Sequence, residues 1–136
     1  MKFVVDSNRI VASLLKDSTT REILYNHKFT FIAPEFIKEE IIKYKEQFID
    51  KAKLSSEEFN MLLSLFFEKV KLISKECYQK DMDSLKKEIS DLKDIPYLAC
   101  CIATNSEGIW SHDPHFLEQD KVKIFTNKDL LDLSRE

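Results

Sequence analysis

The sequence of 136 residues has few of the features that mark several broad protein classes. It contains one glycine and three prolines, which argues against a turn-rich all-β fold and favours helices joined by short connections. No apolar run approaches the roughly 20 residues that a membrane-spanning helix requires, and the N-terminus lacks a signal-peptide pattern. We therefore expect a protein without a membrane segment that resides in the cytoplasm.

Cysteine usage and net charge argue against two further classes. Cys77, Cys100 and Cys101 form no C-x-x-C pair and are odd in number, which suits a reducing compartment better than a disulfide framework. Cys100 and Cys101 are expected to pack as small core residues. Acidic residues exceed basic ones by 24 to 21, so no strong basic field indicates nucleic acid, although a local lysine patch would suffice to bind it.

Segments with strand and helix character alternate along the chain. At this length we expect one domain, residues 1–136, that buries roughly two-thirds of its unfolded surface. Apolar runs predict strands at residues 3–5, 29–33, 70–73, 108–111 and 121–125. The alternation predicts a three-layer α/β/α sandwich with a central parallel sheet of four to five strands and the N-terminal strand near its centre.

Helices are predicted from apolar residues at helical spacing and from capping signals. Thr19 with Glu22, and Ser55 with Glu58, each have the spacing of a capping box. Pro34 fits the start of a helix. The predicted helices cover residues 10–15, 19–27, 35–49, 55–66, 76–89 and 95–104, followed by a last helix capped by Asn127.

Four acids fall where such a fold brings distant segments together. Asp6 and Asp113 each follow a predicted strand, and the carboxyl ends of parallel strands share one rim of the sheet. Asp94 is predicted at the N-cap of the helix that precedes the Asp113 strand, and that helix starts from the same rim. Glu40 lies about 60° from the centre of the apolar stripe of its helix. It is therefore expected to point toward the interior, while Glu39 faces water.

Each acid also has an ordinary structural interpretation. Asp94 could only cap its helix, Asp113 before Pro114 could only start a turn, and Glu40 could only border an apolar face. Their convergence indicates more, because crowded carboxylates raise one another's pKa unless a cation is present. Mg²⁺ and Mn²⁺ accept such oxygen ligands, and a metal held this way can activate water against a phosphodiester.

Four motifs occur in order along nearly the whole chain: Val4-Val5-Asp6-Ser7-Asn8, Pro34 with Glu40, the run from Asp91 through Asp94 to Ala99, and Ile109-Trp-Ser-His-Asp113. Together they resemble the motifs of a PIN domain. The resemblance implies an α/β/α sandwich and an Mg²⁺- or Mn²⁺-dependent endoribonuclease that leaves a 5′-phosphate and a 3′-hydroxyl. It also implies partners like those of VapC-type toxins: RNA as substrate, an antitoxin protein, and a second copy in a homodimer.

The resemblance assigns roles residue by residue. The acidic quartet that would serve catalysis and metal binding is Asp6, Glu40, Asp94 and Asp113. The positions that would support it are Ser7, Asn8, Asp91, Ser111 and His112. Threonine is more usual than serine after the first acid, and many relatives have a small or amide residue in place of His112. By position near the rim, Arg9 and Lys43 are candidate phosphate contacts.

Two functions remain open from the sequence. One is the endoribonuclease; the other is an inactive PIN scaffold that binds RNA or a protein partner, which the negative net charge and His112 allow. A receiver-type phosphoacceptor would need an acid after the third strand, where the chain has Ile73-Ser74. A zinc site at His112-x-x-His115 would need further ligands, and only His27 remains.

Overall fold

Five parallel strands form the centre of the protein. The computed structural model describes residues 1–9 and 18–136, and the helix predicted over 10–15 lies outside the described residues. The strands are β1 (Lys2–Val5), β2 (Thr30–Pro34), β3 (Val70–Ile73), β4 (Gly108–Trp110) and β5 (Ile124–Phe125). Their order is β3-β2-β1-β4-β5, with every neighbouring pair parallel. The predicted parallel sheet and the central place of the N-terminal strand are confirmed.

Helices separate the strands along the chain and complete the predicted α/β/α sandwich. The described helices are α1 (Ser18–Leu24), α2 (Phe36–Ala52), α3 (Ser56–Lys69), α4 (Lys75–Leu85), α5 (Ile95–Ala103) and α6 (Asn127–Ser134), with a 3₁₀ helix at Pro114–Glu118. Within the described segments, none of these helices has the length and apolar character needed to cross a membrane.

The core is built from aromatic rings on the strands and from helix α5. The ring centroids of Phe3 and Phe125 lie 4.9 Å apart, and those of Phe31 and Trp110 lie 5.0 Å apart. The first seven residues of α5 are all buried, including the two adjacent cysteines predicted as core. Because α5 is enclosed in this way, its N-terminus has a fixed position relative to the sheet.

Several predicted element ends differ from the structure. Pro34 does not start a helix but ends β2, where it pairs with Ile73. Thr19 lies inside α1, which begins at Ser18, so the predicted cap there is wrong. The capping box at Ser55 is confirmed.

Side-chain hydrogen bonds to the backbone shift the start of the last helix and of the last strand: the helix begins one residue earlier than predicted, and the strand begins three residues later. Thr126, rather than Asn127, caps α6 through a capping box with Asp129. Gln119 accepts hydrogen bonds from the backbone N–H groups of Lys121 and Val122. Those groups therefore do not pair with β4, and β5 is limited to two residues.

Gly108 is required by the close approach of β5 to β4. A Cβ atom at this position would lie 2.3 Å from the carbonyl oxygen of Lys123 and 2.6 Å from Cε1 of Phe125. We expect Gly108→Ala to lower the free energy of unfolding by about 1–3 kcal/mol, as overpacking does. Urea denaturation measures this change, and an unchanged midpoint would show that β5 moves aside without cost.

Candidate active site

A polar cleft of about 380 Å³ lies at the carboxyl ends of the central strands. The predicted site residues that line it are Asp6, Ser7, Asn8, Glu40, Asp91, Asp94 and Asp113. Residues not predicted from the sequence also line it, namely Tyr44, Gln47, Phe48, Lys93, Tyr97, His115 and Phe116. The structure thus brings all four predicted acids to one cleft.

Asp6 occupies the deepest position because it directly follows the central strand. Its side chain is buried, with one carboxylate oxygen accepting a hydrogen bond from the Arg9 backbone N–H at 3.1 Å. The other oxygen accepts a hydrogen bond from the Ser111 hydroxyl. Burial raises the pKa of Asp6 above its ordinary value even though these donors oppose the shift.

Glu40 reaches the same cleft from α2. It is half-buried while Glu39 is exposed, so the orientation predicted for this pair is confirmed. The hydroxyl of Tyr97, which is buried in the first turn of α5, donates a hydrogen bond to Glu40 Oε1. Burial raises the pKa of Glu40, the Tyr97 hydrogen bond opposes this, and the charge of Asp6 raises the pKa further.

Asp94 stands at the N-cap position of α5 without acting as a cap. Its side chain makes no capping hydrogen bond and is only 8% exposed. Burial first, and then the charges of Asp91 and Asp113, raise its pKa to about 6. Helix capping therefore does not account for this buried carboxyl.

Asp113 is joined to Asp6 through the hydroxyl of Ser111. The backbone N–H of Asp113 donates to Ser111 Oγ at 3.0 Å, and Ser111 in turn donates to Asp6. Asp113 Oδ1 accepts from the backbone N–H of His115 at 3.0 Å and lies 3.1 Å from His115 Nδ1. Asp113 also begins the 3₁₀ helix, so it has the predicted turn-starting role as well as a place in the cleft.

Four of the predicted supporting and phosphate-binding residues lie outside the cleft lining, namely Arg9, Lys43, Ser111 and His112. His112 is exposed, and its Nε2 accepts a hydrogen bond from the backbone N–H of Asn127 at 3.0 Å. Lys43 is exposed beside the ring of Tyr44. Arg9 contributes its backbone N–H to Asp6, and in the described part of the chain its buried Nε has no hydrogen-bond partner.

The sequence contained a usable signal for one of the residues that was missed. Tyr97 follows Asp94 by three residues, a spacing that places two side chains on neighbouring positions of a helix surface. Its hydroxyl is also the one strongly polar side-chain group among the four buried residues 97–100. The approach of Lys93 to Tyr44 joins residues 49 positions apart, and no local pattern indicates it.

The acidic cleft has the donor chemistry for a hard divalent cation. Among residues 1–9 and 18–136, no three or more histidine, cysteine, aspartate or glutamate side chains are grouped so that they could hold a metal ion. Carboxylate oxygens of Asp6 and Glu40 instead accept hydrogen bonds from N–H and O–H groups of the protein. The available ligands are oxygens, which suit Mg²⁺ or Mn²⁺. Burial is the main cause of the raised pKa values of Asp6, Glu40 and Asp94, and neighbouring carboxylates add to the shift at Glu40 and Asp94; a cation would oppose both effects.

The raised pKa of Asp94 predicts a dependence of stability on pH. The native state binds this proton more tightly than the unfolded chain does, so the contribution of Asp94 to stability is fully present below the ordinary pKa of 3.8 and is lost as the pH rises through about 6. We expect the metal-free protein to lose stability across this interval in urea denaturation, and Asp94→Asn to lose less. If the free energy of unfolding changed equally with pH in the two proteins, the raised pKa assigned to Asp94 would be contradicted.

Comparison with known proteins places the chain in a family. A family model described as a PIN domain matches residues 4–128, whereas comparison with curated proteins finds no significant match. The fold is similar to the crystal structure of VapBC2 from Rickettsia felis bound to a DNA fragment from their promoter. The TM-score is 0.68 with 16% identity, covering 93% of this chain and 98% of that chain. At 16% identity, this similarity shows a shared fold and nothing beyond it. Because the family model spans most of the sequence, the chain belongs to the PIN domain family.

Proposed function

We propose that this protein is an endoribonuclease that hydrolyses RNA phosphodiester bonds with Mg²⁺ or Mn²⁺ as cofactor. The observation that carries the proposal is the meeting of Asp6, Glu40, Asp94 and Asp113 in one cleft although they come from four separate segments. Membership of the PIN domain family supports it, since PIN domains are generally nucleases.

Asp6, Asp94 and Asp113 would hold one or two divalent ions, and Glu40 would bind metal or position the attacking water. These residues would hold the ion as carboxylate ligands, and the ion would supply activation of water and stabilisation of the charge that develops on the phosphodiester. The products are a 5′-phosphate and a 3′-hydroxyl.

The remaining residues of the cleft fix these groups in place. Ser111 and the Arg9 backbone N–H orient Asp6, and Tyr97 holds one oxygen of Glu40. In residues 1–9 and 18–136 the other oxygen of Glu40 has no hydrogen-bond partner, so it could accept a proton, or a hydrogen bond from a water. Ser7, Asn8 and Asp91 line the same cleft as supporting residues. His112 supports the site from outside the lining, and Arg9 and Lys43 contact phosphates of the RNA.

We extend the proposal to two protein partners, an antitoxin that inhibits the enzyme and a second copy of the chain in a homodimer. The similar solved structure is one of VapBC2 with promoter DNA, and this supports a toxin of a toxin–antitoxin pair. Exposed apolar side chains on α2 and α3, such as Ile42 and Met61 at 74% and 65% exposure, provide surface for a partner.

A second candidate is an inactive PIN scaffold that binds RNA or a protein. The observation that favours it is that, within the two described segments, no set of three or more ligating side chains is ready to hold a metal. The two candidates differ in their response to Mn²⁺, because only an enzyme with a working metal site gains stability from the ion by mass action.

Removing the charge of Asp6 tests the proposed enzyme. We expect Asp6→Asn to abolish metal-dependent cleavage of a labelled oligoribonucleotide while circular dichroism shows an intact fold. The wild type should gain about 2.7 kcal/mol of stability at an Mn²⁺ concentration 100 times its Kd, and the variant should not. Asp120→Asn, at an exposed position, is the control. Retained cleavage by Asp6→Asn would overturn the assignment.

Removing the hydroxyl of Tyr97 tests the positioning of Glu40. The ring contacts with Phe36 and Phe116, both at 6.2 Å between centroids, survive in Tyr97→Phe. We expect kcat to fall about 10- to 100-fold, as for other partners that orient a ligand. Tyr78→Phe is the matched control, because Tyr78 is equally buried and its hydroxyl bonds the backbone of Phe36.

A double-mutant cycle separates positioning from general destabilisation. If Tyr97 acts through Glu40, the double variant Tyr97→Phe/Glu40→Gln is no slower than Glu40→Gln alone. Additive losses would show that the hydroxyl acts independently of Glu40.

A further inference from the structure

Two lysines lie against one tyrosine side chain on the rim of the acidic cleft. Tyr44 lies on α2 one turn after Glu40, and its hydroxyl accepts a hydrogen bond from Lys93 Nζ at 3.1 Å. The Nζ of Lys43 is 5.4 Å from the centroid of the same ring. Lys93 and Tyr44 line the cleft together with the acids, and both lysines are exposed.

The ammonium group of Lys93 lies beyond the hydroxyl end of the Tyr44 ring rather than over its face. Its Nζ is 5.7 Å from the ring centroid but only 3.1 Å from the phenolic oxygen. The ring itself is steadied by Phe48, with centroids 6.3 Å apart. The hydrogen bond from Lys93, followed by the charge of Lys43, lowers the pKa of the Tyr44 hydroxyl. This corner of the rim therefore concentrates positive charge and hydrogen-bond donors.

Among the described residues, neither lysine is held in a close ion pair by the acids beside it. In the part of the chain that the structure describes, neither Lys43 nor Lys93 forms an ion pair with a carboxylate, although Lys93 is the immediate neighbour of Asp94 in the chain. Their charges thus remain available to an anion. A cleft lined by carboxylates repels a polyanion, so cations at its mouth are what would allow such a ligand to approach.

We propose that Lys43, Tyr44 and Lys93 form a subsite that binds a phosphate of the RNA strand next to the one being cleaved. The inference rests on the proposed function, because only a strand cut in the cleft brings a neighbouring phosphate to this rim. Glu40 and Tyr44 are separated by one helical turn, about 6 Å along the axis, which is close to the spacing of consecutive phosphates in an extended strand.

The next turn of α2 extends the subsite along the strand. Gln47 and Phe48 follow Tyr44 in the lining of the cleft. An amide can hydrogen-bond to a base or sugar, and an aromatic ring can stack on a base without sequence preference. The subsite therefore favours single-stranded RNA, whose bases are free to stack.

Charge-neutral variants at the rim test the subsite. We expect Lys93→Gln to raise KM for a single-stranded oligoribonucleotide about tenfold, the size of one hydrogen bond to a charged group, with kcat nearly unchanged. We expect Tyr44→Phe and Lys43→Gln to raise KM as well. Lys51→Gln, an exposed lysine in the last turn of the same helix, is the control.

Salt dependence provides a readout that a structural defect would not change. Anisotropy titrations in EDTA, where no metal-dependent cleavage occurs, give the slope of log Kd against log salt. Each lost phosphate contact should reduce that slope by about 0.7 for a single strand. We expect this loss in Lys93→Gln and not in Lys51→Gln.

Oligoribonucleotides in which one phosphate is replaced by a neutral methylphosphonate show which phosphate the subsite binds. Neutralising the linkage next to the cleaved bond should raise KM for the wild type and have no further effect on Lys93→Gln. If the wild type cleaves RNA and all rim variants behave like Lys51→Gln, the subsite is refuted and the nuclease stands. If the wild type neither binds nor cleaves RNA, the proposed function itself fails.

Discussion

Burial of the Asp6 carboxylate is the constraint on which the rest of the site depends. β1 has a neighbour on each side, so the residue that follows it emerges inside the sheet's rim rather than at its periphery. A charge in that position is costly without compensation. The fold supplies partial compensation through Ser111 and the Arg9 backbone, and these donors also fix the direction in which the carboxylate points.

Hydrogen bonds between separate elements then set the positions of the other acids. Ser111 links the ends of β1 and β4 by donating to Asp6 while accepting from the Asp113 backbone. Tyr97 links α5 to α2 by donating to Glu40. Asp6 and Glu40 are thus each held by a side chain that is distant in sequence. The cleft is assembled by tertiary contacts, and no single loop carries it.

The positions of Asp6, Asp94 and Asp113 could be predicted because they follow from topology. Parallel strands end at a common rim, and alternating apolar segments are sufficient to indicate the strands. The rim contacts of Lys93 and Tyr44 could not be predicted, since they depend on side-chain directions across a long separation in sequence. In the same way, the sequence did not indicate which of His112 and His115 would reach the cleft. The 3₁₀ helix after β4 brings His115 to the cleft, while His112 bonds to the start of α6.

The strand order has a consequence for synthesis of the chain. β1 is translated before both of its neighbours, and β4 follows it only after more than a hundred further residues. A nascent chain therefore exposes Asp6 without Ser111 or Asp113, and these partners cannot enclose the carboxylate until β4 and the residues after it have been translated. If the mature protein cuts RNA, this delay keeps the unfinished polypeptide harmless to the message from which it is being made.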